Sequence, residues 1–305
     1  MLNQIEPGIR ALVEAFIQSD KPNPSSLPIS QRRQGYIEST VLAGDGPEMY
    51  QEFVDQLDQI TLKVFKPSNE ASLPITLYFH GGCFISGGFN THQQQLRQLA
   101  KLSNSIVVCI QYRLAPEHCY PAAHDDAYQA AQLIRLHAQK YGGDPQRIVF
   151  VGDSAGAHLA LVTSLRLKTQ ADWLPSQQIL LYPMLDAYGQ SASYQQYGTD
   201  FVITAAMLLS GFELYLGNSG VAQNHPEISP LLREDLSGLP PTSIVTAEFD
   251  PLRDEGEQLY KKLVANGVEA YCERYLGVIH GFFQLSAVSS SARKCLENVA
   301  SQIAR

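Results

Sequence analysis

The sequence predicts an α/β fold, with a mostly parallel central sheet flanked by helices. Short runs rich in Ile, Val, Leu and aromatic residues alternate with amphipathic stretches, the pattern of strands joined by helical crossovers. One apolar run, Arg147-Ile148-Val149-Phe150-Val151, turns directly into Gly152-Asp153-Ser154-Ala155-Gly156 and then into Ala157-His158-Leu159-Ala160-Leu161-Val162, a strand-turn-helix passage. With 305 residues, 45% of them hydrophobic, the chain can bury a large core and suits one large α/β domain as well as two small ones.

In chain order, strands are expected at residues 60–65, 75–79, 106–111, 147–151, 178–182, 243–247 and 269–275. Helices are expected at 93–102, 123–139, 155–167, 254–265 and 292–303. Gly142-Gly143 and Asn266-Gly267 supply stops, because glycine takes the left-handed conformation after a last helical turn. Two stretches break the alternation. Leu2, Ile5, Ile9, Leu12, Val13 and Phe16 form an apolar stripe at helical spacing, and the proline-rich residues 21–28 cannot continue that helix. This linker separates the helix from the first strands and suits it to covering a site rather than building the core. Residues 186–226 are polar and tyrosine-rich and include an amphipathic piece at 204–216. An insertion beyond the C-terminal end of a strand lies where α/β proteins bind ligands. The expectation is a single domain over 1–305 with a helical cap from about residues 1–45 and about 186–226.

A net charge of -8 and a pI near 5.5 argue against a polyanionic partner, so no nucleic acid is expected. The first twenty residues lack a signal-peptide pattern and no segment has 18 consecutive apolar residues, so no membrane span is expected. The five cysteines, Cys83, Cys109, Cys119, Cys272 and Cys295, are widely spaced without a C-x-x-C pair, which fits a reducing cytoplasm better than a disulfide framework or zinc site. No histidine pair stands at metal-ligand spacing and there is no H-E-x-x-H, so no metal or cofactor is expected.

Gly152-Asp153-Ser154-Ala155-Gly156 is a G-x-S-x-G pattern in the context its chemistry requires. A sharp turn from strand to helix lifts the serine hydroxyl clear of the sheet, and a serine nucleophile needs a base and a group to orient that base. Upstream, His80-Gly81-Gly82-Cys83-Phe84 follows a strand, where backbone amides can stabilise a developing oxyanion. The expected donors are the amides of Gly81, Gly82 and Ala155. Downstream, Glu248, Asp250 and Asp254 crowd the loop after the strand at 243–247. Asp250 precedes Pro251 and suits a loop, whereas Asp254 and Glu255 suit the first turn of the next helix; Asp250 is the better orienting acid, with Glu248 and Asp254 in reserve. His280, just beyond the last strand, is the expected base. Cys83, Phe84, Phe201 and Phe282 are expected against the substrate. The other histidines read as structural: His92 and His225 at loop or cap edges, His137 exposed, His118 and His124 in a proline-containing loop, and His158 turned away from the Ser154 hydroxyl. Asp153 is expected to bond nearby backbone or a loop rather than take part directly.

Together, His80-Gly81-Gly82, Tyr112-Arg113-Leu114-Ala115-Pro116-Glu117-His118 with Pro121-Ala122-Ala123, Gly152 to Gly156, Asp250-Pro251-Leu252-Arg253-Asp254 and His280-Gly281-Phe282 resemble the hormone-sensitive-lipase-like family, the bacterial family IV esterases of the α/β-hydrolase fold. The resemblance covers roughly residues 60–285. It implies a Ser154-Asp250-His280 triad, a cap, hydrolysis of short- to medium-chain carboxylic esters without a cofactor, and a homodimer through the strand at 269–275. The same triad suits an amidase or deacetylase. The family's plant hormone receptors use the fold without catalysis, but they lose the histidine, and His280 is present. One departure stands out: where the family loop usually carries a third glycine, this chain has Cys83, whose side chain is expected to alter substrate preference.

Overall fold

The computed structural model describes residues 2–19 and 23–305. Eight strands form one sheet: β1 (Gln51–Leu57), β2 (Ile60–Lys66), β3 (Leu73–Phe79), β4 (Ile106–Gln111), β5 (Gly143–Asp153), β6 (Gln177–Leu181), β7 (Thr242–Phe249) and β8 (Ala270–Ile279). Their spatial order is β1-β2-β4-β3-β5-β6-β7-β8. β2 pairs antiparallel with both β1 and β4, and every other pairing is parallel. The helices are α1 (Pro7–Ile17), α2 (Ile29–Glu38), α3 (Phe89–Ser103), α4 (Ala122–His137), α5 (Ala155–Gln170), α6 (Ala192–Tyr197), α7 (Ala205–Leu216), α8 (Arg253–Ala265) and α9 (Ser290–Ile303).

Both faces of the sheet are covered, which is why its central strands read as unbroken apolar runs. In β4, Ile106, Val108 and Ile110 enter the core shared with α4, α5 and α8. Val107 and Cys109, pointing the other way, enter the core shared with α1, α3 and α9. Because the strands from β3 to β8 run parallel, the residues that follow β3, β5, β7 and β8 emerge at one edge of the sheet.

Three elements, β1, α2 and the short α6, are additions to those expected. β1 carries exposed Gln51, Val54 and Gln56 and lies at the sheet edge, so no buried face marks it in the sequence. α2 has no buried residue at all. The strand expected at 147–151 begins four residues earlier, at Gly143.

The amino-terminal stripe is divided between two roles. Ile5, Ile9 and Val13 are buried in the core beside β8 and α9, whereas Leu12 and Phe16 face a cavity described below. The expectation that this helix covers a site rather than building the core is corrected to both. Its docking is specific: the Glu6 amide donates to the Gly277 carbonyl at 2.8 Å, and the Glu6 carboxylate accepts from Ser289 Oγ and the Ser290 amide, each at 2.5 Å, at the start of α9. Burial opposes that charge, but these hydrogen bonds outweigh it and hold the Glu6 pKa below the usual range. Of the expected linker, Lys21 and Pro22 lie outside the described residues; from Asn23 it forms a short turn in which the Asn23 side chain accepts from the Ser25 amide at 3.0 Å. Among the described residues no helix is long and apolar enough to cross a membrane.

Candidate active site

β5 ends and α5 begins with one residue, Ser154, between them, and that residue adopts φ 55° and ψ -119°. Such backbone is strained for a residue with a Cβ. It is accommodated because its neighbours lack side chains: a Cβ on Gly156 would strike the Phe79 carbonyl, and one on Gly152 would strike the Gly156 carbonyl. The Ser154 amide donates to the Leu181 carbonyl at 2.8 Å, tying the turn to β6.

His280 leaves β8 with its Nε2 3.0 Å from Ser154 Oγ and its Nδ1 2.8 Å from Asp250 Oδ2. Asp250 is fully buried and its other oxygen accepts from the Leu252 amide at 2.7 Å. An ionised carboxylate only accepts, so Nδ1 carries the proton and Nε2 offers its lone pair to the serine hydroxyl. The reserve acids are engaged elsewhere. Glu248 accepts from the Gly277 amide at 2.7 Å, and Asp254 accepts from the Ser193 amide at 2.9 Å while pairing with Arg253.

The expected oxyanion donors need one correction. The Gly81 amide donates to Asp153 Oδ1 at 2.9 Å and is unavailable to a ligand. The amides of Gly82, Cys83 and Ala155 have no protein acceptor among the described residues. Gly82 and Cys83 both have positive φ, 122° and 55°, which turns the loop back on itself. Tyr112, in the segment expected as scaffold, stacks on the His80 ring at 4.1 Å and donates its hydroxyl to the His80 carbonyl at 2.8 Å. Burial, with His92 nearby, lowers the His80 pKa to about 3, so the ring is neutral.

Asp153 bonds a loop and more. Its Oδ1 accepts from Tyr78 Oη at 2.9 Å as well as from Gly81, and meets His92 Nε2 at 3.1 Å; its Oδ2 accepts from Gln284 Nε2 at 3.1 Å. Burial alone would raise its pKa, but the facing His92 ring and the hydrogen bonds from His92 and Tyr78 outweigh it, and the carboxyl is held below its usual value. His92 is therefore a buried residue of α3, not a loop or cap-edge residue. His124 is likewise buried, on α4: its Nδ1 lies 2.6 Å from Tyr215 Oη and its Nε2 3.0 Å from His158 Nε2. His158 is turned from Ser154, with Nδ1 2.7 Å from the Met184 carbonyl.

Ser154 and His280 open onto a cavity of about 460 Å³. Its walls come from α1, α2, the 80s loop and the stretch around α7, with Leu12, Phe16, Tyr36, Cys83, Val202 and Met207 among the lining residues. Of the four side chains expected against substrate, Cys83 is there. Phe84 instead stacks on Tyr215 at 4.4 Å, Phe201 on Phe249 at 5.4 Å, and Phe282 packs against Tyr275 at 5.2 Å; all three are buried in the core and none lines the cavity. Aromatic character alone does not distinguish a core phenylalanine from a pocket one. Among the described residues no group of three or more His, Cys, Asp or Glu side chains is arranged to hold a metal ion.

Comparisons with known proteins place the chain among ester hydrolases of one fold. A family model described as the alpha/beta hydrolase fold matches residues 76–284, which includes every strand end just described. The chain is 38% identical over 251 residues to the carboxylic ester hydrolase LipN of Mycobacterium tuberculosis, covering 79% of this chain and 66% of that protein. It is 31% identical over 292 residues to an ethyl acetate hydrolase of Pseudomonas putida, covering 92% of each. The solved structure of a hyperthermophilic esterase from Pyrobaculum calidifontis superposes with a TM-score of 0.91 at 32% identity, over 99% of this chain and 98% of that one.

Proposed function

The chain belongs to the hormone-sensitive-lipase-like esterases of the alpha/beta hydrolase fold and is a carboxylic ester hydrolase; from that premise we propose that Ser154, His280 and Asp250 are the groups that cleave the ester. The carrying observation is the continuous chain Ser154 Oγ, His280 Nε2, His280 Nδ1, Asp250 Oδ2, with gaps of 3.0 Å and 2.8 Å. As Oγ attacks the ester carbonyl, Nε2 takes its proton, and buried Asp250 stabilises the imidazolium. The carbonyl oxygen gains charge between the amides of Gly82, Cys83 and Ala155, donors already fixed by the loop and the start of α5. The imidazolium then returns the proton to the departing alcohol. Water, deprotonated by the same nitrogen, cleaves the acyl-serine and restores the enzyme.

A largely apolar cavity of about 460 Å³ supports short- to medium-chain esters as substrates. The segments before β1 and around α7 act as the cap. The free edge of β8, where Tyr271 and Leu276 are exposed, supports pairing with a second copy, to be read by light scattering. Five unpaired cysteines fit a cytoplasmic setting.

The direct test is covalent trapping. A 4-nitrophenyl alkylphosphonate should release one equivalent of nitrophenol per chain and leave its mass on the peptide containing Ser154. A label on any other residue, or none, overturns the assignment.

A further inference from the structure

We propose that Arg32 recognises an anionic group on the substrate, so that the preferred esters carry a carboxylate at a distance from the scissile bond. This rests on the ester-hydrolase reading of Ser154 and adds the class of substrate to it. Arg32 projects from α2 into the cavity that holds Ser154. Among the described residues that line the cavity it is the one Lys or Arg, and the Asp153 and His280 side chains there have partners of their own: Asp153 meets Tyr78, Gly81, His92 and Gln284, and His280 meets Asp250 and Ser154.

Among the described residues Arg32 has no carboxylate partner. Among those residues its hydrogen bonds come from a single nitrogen, Nη2, to Ser210 Oγ at 3.0 Å and to the Met207 carbonyl at 3.4 Å, both on α7. A guanidinium has five N–H donors in a planar fork, so among the described residues most of this fork has no protein acceptor. Partial burial disfavours the charge and lowers the Arg32 pKa, although the guanidinium remains protonated. A half-buried cation against apolar walls is stabilised by an anion that enters with the ligand, and the fork matches a carboxylate in two-point contact. Tethering α2 to α7 requires one nitrogen and leaves the remaining donors unexplained.

The experiment compares 4-nitrophenyl esters of dicarboxylic acids, from succinate to suberate, with alkanoate esters of equal chain length. A second series places the carboxylate on the alcohol side, as acetyl esters of ω-hydroxy acids. Wild type should prefer a carboxylated ester of one length in one series, and added salt should weaken that preference. R32Q should lower kcat/KM for that ester by about 10- to 100-fold, the scale of a hydrogen-bonded charge pair, while changing the neutral ester less than about threefold. R32K, which keeps the charge but not the fork, should fall between. Equal losses on charged and neutral esters in R32Q would mean that Arg32 only braces α2 against α7, and the proposal fails. It also fails if wild type hydrolyses neutral esters and rejects every carboxylated one, an outcome that leaves the Ser154 reading standing. Failure of wild type on all esters, neutral included, sinks both.

Discussion

Gly211, within α7, lies directly against Cys83: a Cβ on Gly211 would sit 2.5 Å from the Cys83 Cβ and 2.8 Å from its carbonyl oxygen. The loop that bears the proposed oxyanion donors therefore turns a side chain toward α7, and the facing helix has a glycine where most helices have a side chain. Gly211→Ala should push the 80s loop and lower kcat by about tenfold, the scale of one displaced oxyanion donor or less. Alanine is the better helix former by about 1 kcal/mol, so the melting temperature should not fall for helical reasons. Adding Cys83→Gly should restore much of the lost rate. Strict additivity in this double-mutant cycle, measured on a short nitrophenyl ester, would show that the two sites do not communicate.

Cys83 alone has a second consequence. Burial raises its thiol pKa to about 11, so it is a neutral wall of the cavity and not a competing nucleophile. Cys83→Gly should keep Ser154 chemistry and shift the favoured acyl or alcohol size upward. An unchanged profile across acetate to laurate esters would remove Cys83 from the substrate contact.

Ser154→Ala and His280→Ala should each reduce kcat by roughly 10⁴-fold or more, and the double variant should be little worse, because the groups act as a unit. Asp250→Asn should be damaging while retaining the fold, since the amide fits the same space but cannot hold the same His280 tautomer. Near-normal turnover by Ser154→Ala, free of wild-type enzyme, would end the assignment.

Asp153 joins the Ser154 turn to the 80s loop through the Gly81 amide, and to α3 through His92. Asp153→Asn should cost about 3 kcal/mol, the scale for breaking a buried pair, and should lower kcat by loosening the Gly81-Gly82-Cys83 backbone. Folding lowers the Asp153 pKa, so its charge stabilises the fold above the unfolded value of about 3.9 and that contribution fades as pH falls through the folded value. The difference in unfolding free energy between wild type and Asp153→Asn should shrink as the pH falls below about 4. A gap that widens on acidification would contradict the role given to the charge.

What the sequence made legible follows local physics. Each expected strand exists, because burial on both faces leaves runs such as Ile106-Val107-Val108-Cys109-Ile110 unmistakable. Ser154, Asp250 and His280 were readable because each follows its own strand, and parallel strands deliver their ends to one edge. Asp153's partners were not: Tyr78, Gly81, His92 and Gln284 come from separate parts of the chain, and only packing assembles them. For the same reason the Gly81 amide looked free when it is occupied. β1 and α2 escaped because neither presents an apolar face, and α2 is the element that carries Arg32.

The division of α1 between two jobs supplies the last prediction. Ile9 and Val13 are completely buried against the β8 and α9 side of the molecule, while Leu12 and Phe16, on the same helix, line the cavity with Ser154. Ile9→Ala, which empties a closed site, should destabilise by about 2 to 5 kcal/mol and leave the acyl-chain profile of the folded fraction unchanged. Leu12→Ala with Phe16→Ala removes surface that already borders open space, so the stability cost should be smaller, and kcat/KM for octanoate and longer esters should drop relative to acetate as apolar contacts to the chain are lost, about 0.8 kcal/mol per unburied methylene. Removing residues 1–28 merges both effects and also strips the Glu6 cap from α9, so that truncation should fold poorly rather than yield a well-folded enzyme with an open site. Melting curves and an acyl-chain series on the same three variants separate the roles. If Leu12→Ala with Phe16→Ala keeps the wild-type profile, α1 is a core element alone; if Ile9→Ala melts like wild type while shifting chain preference, the helix sits on the cavity and its docking on β8 contributes nothing.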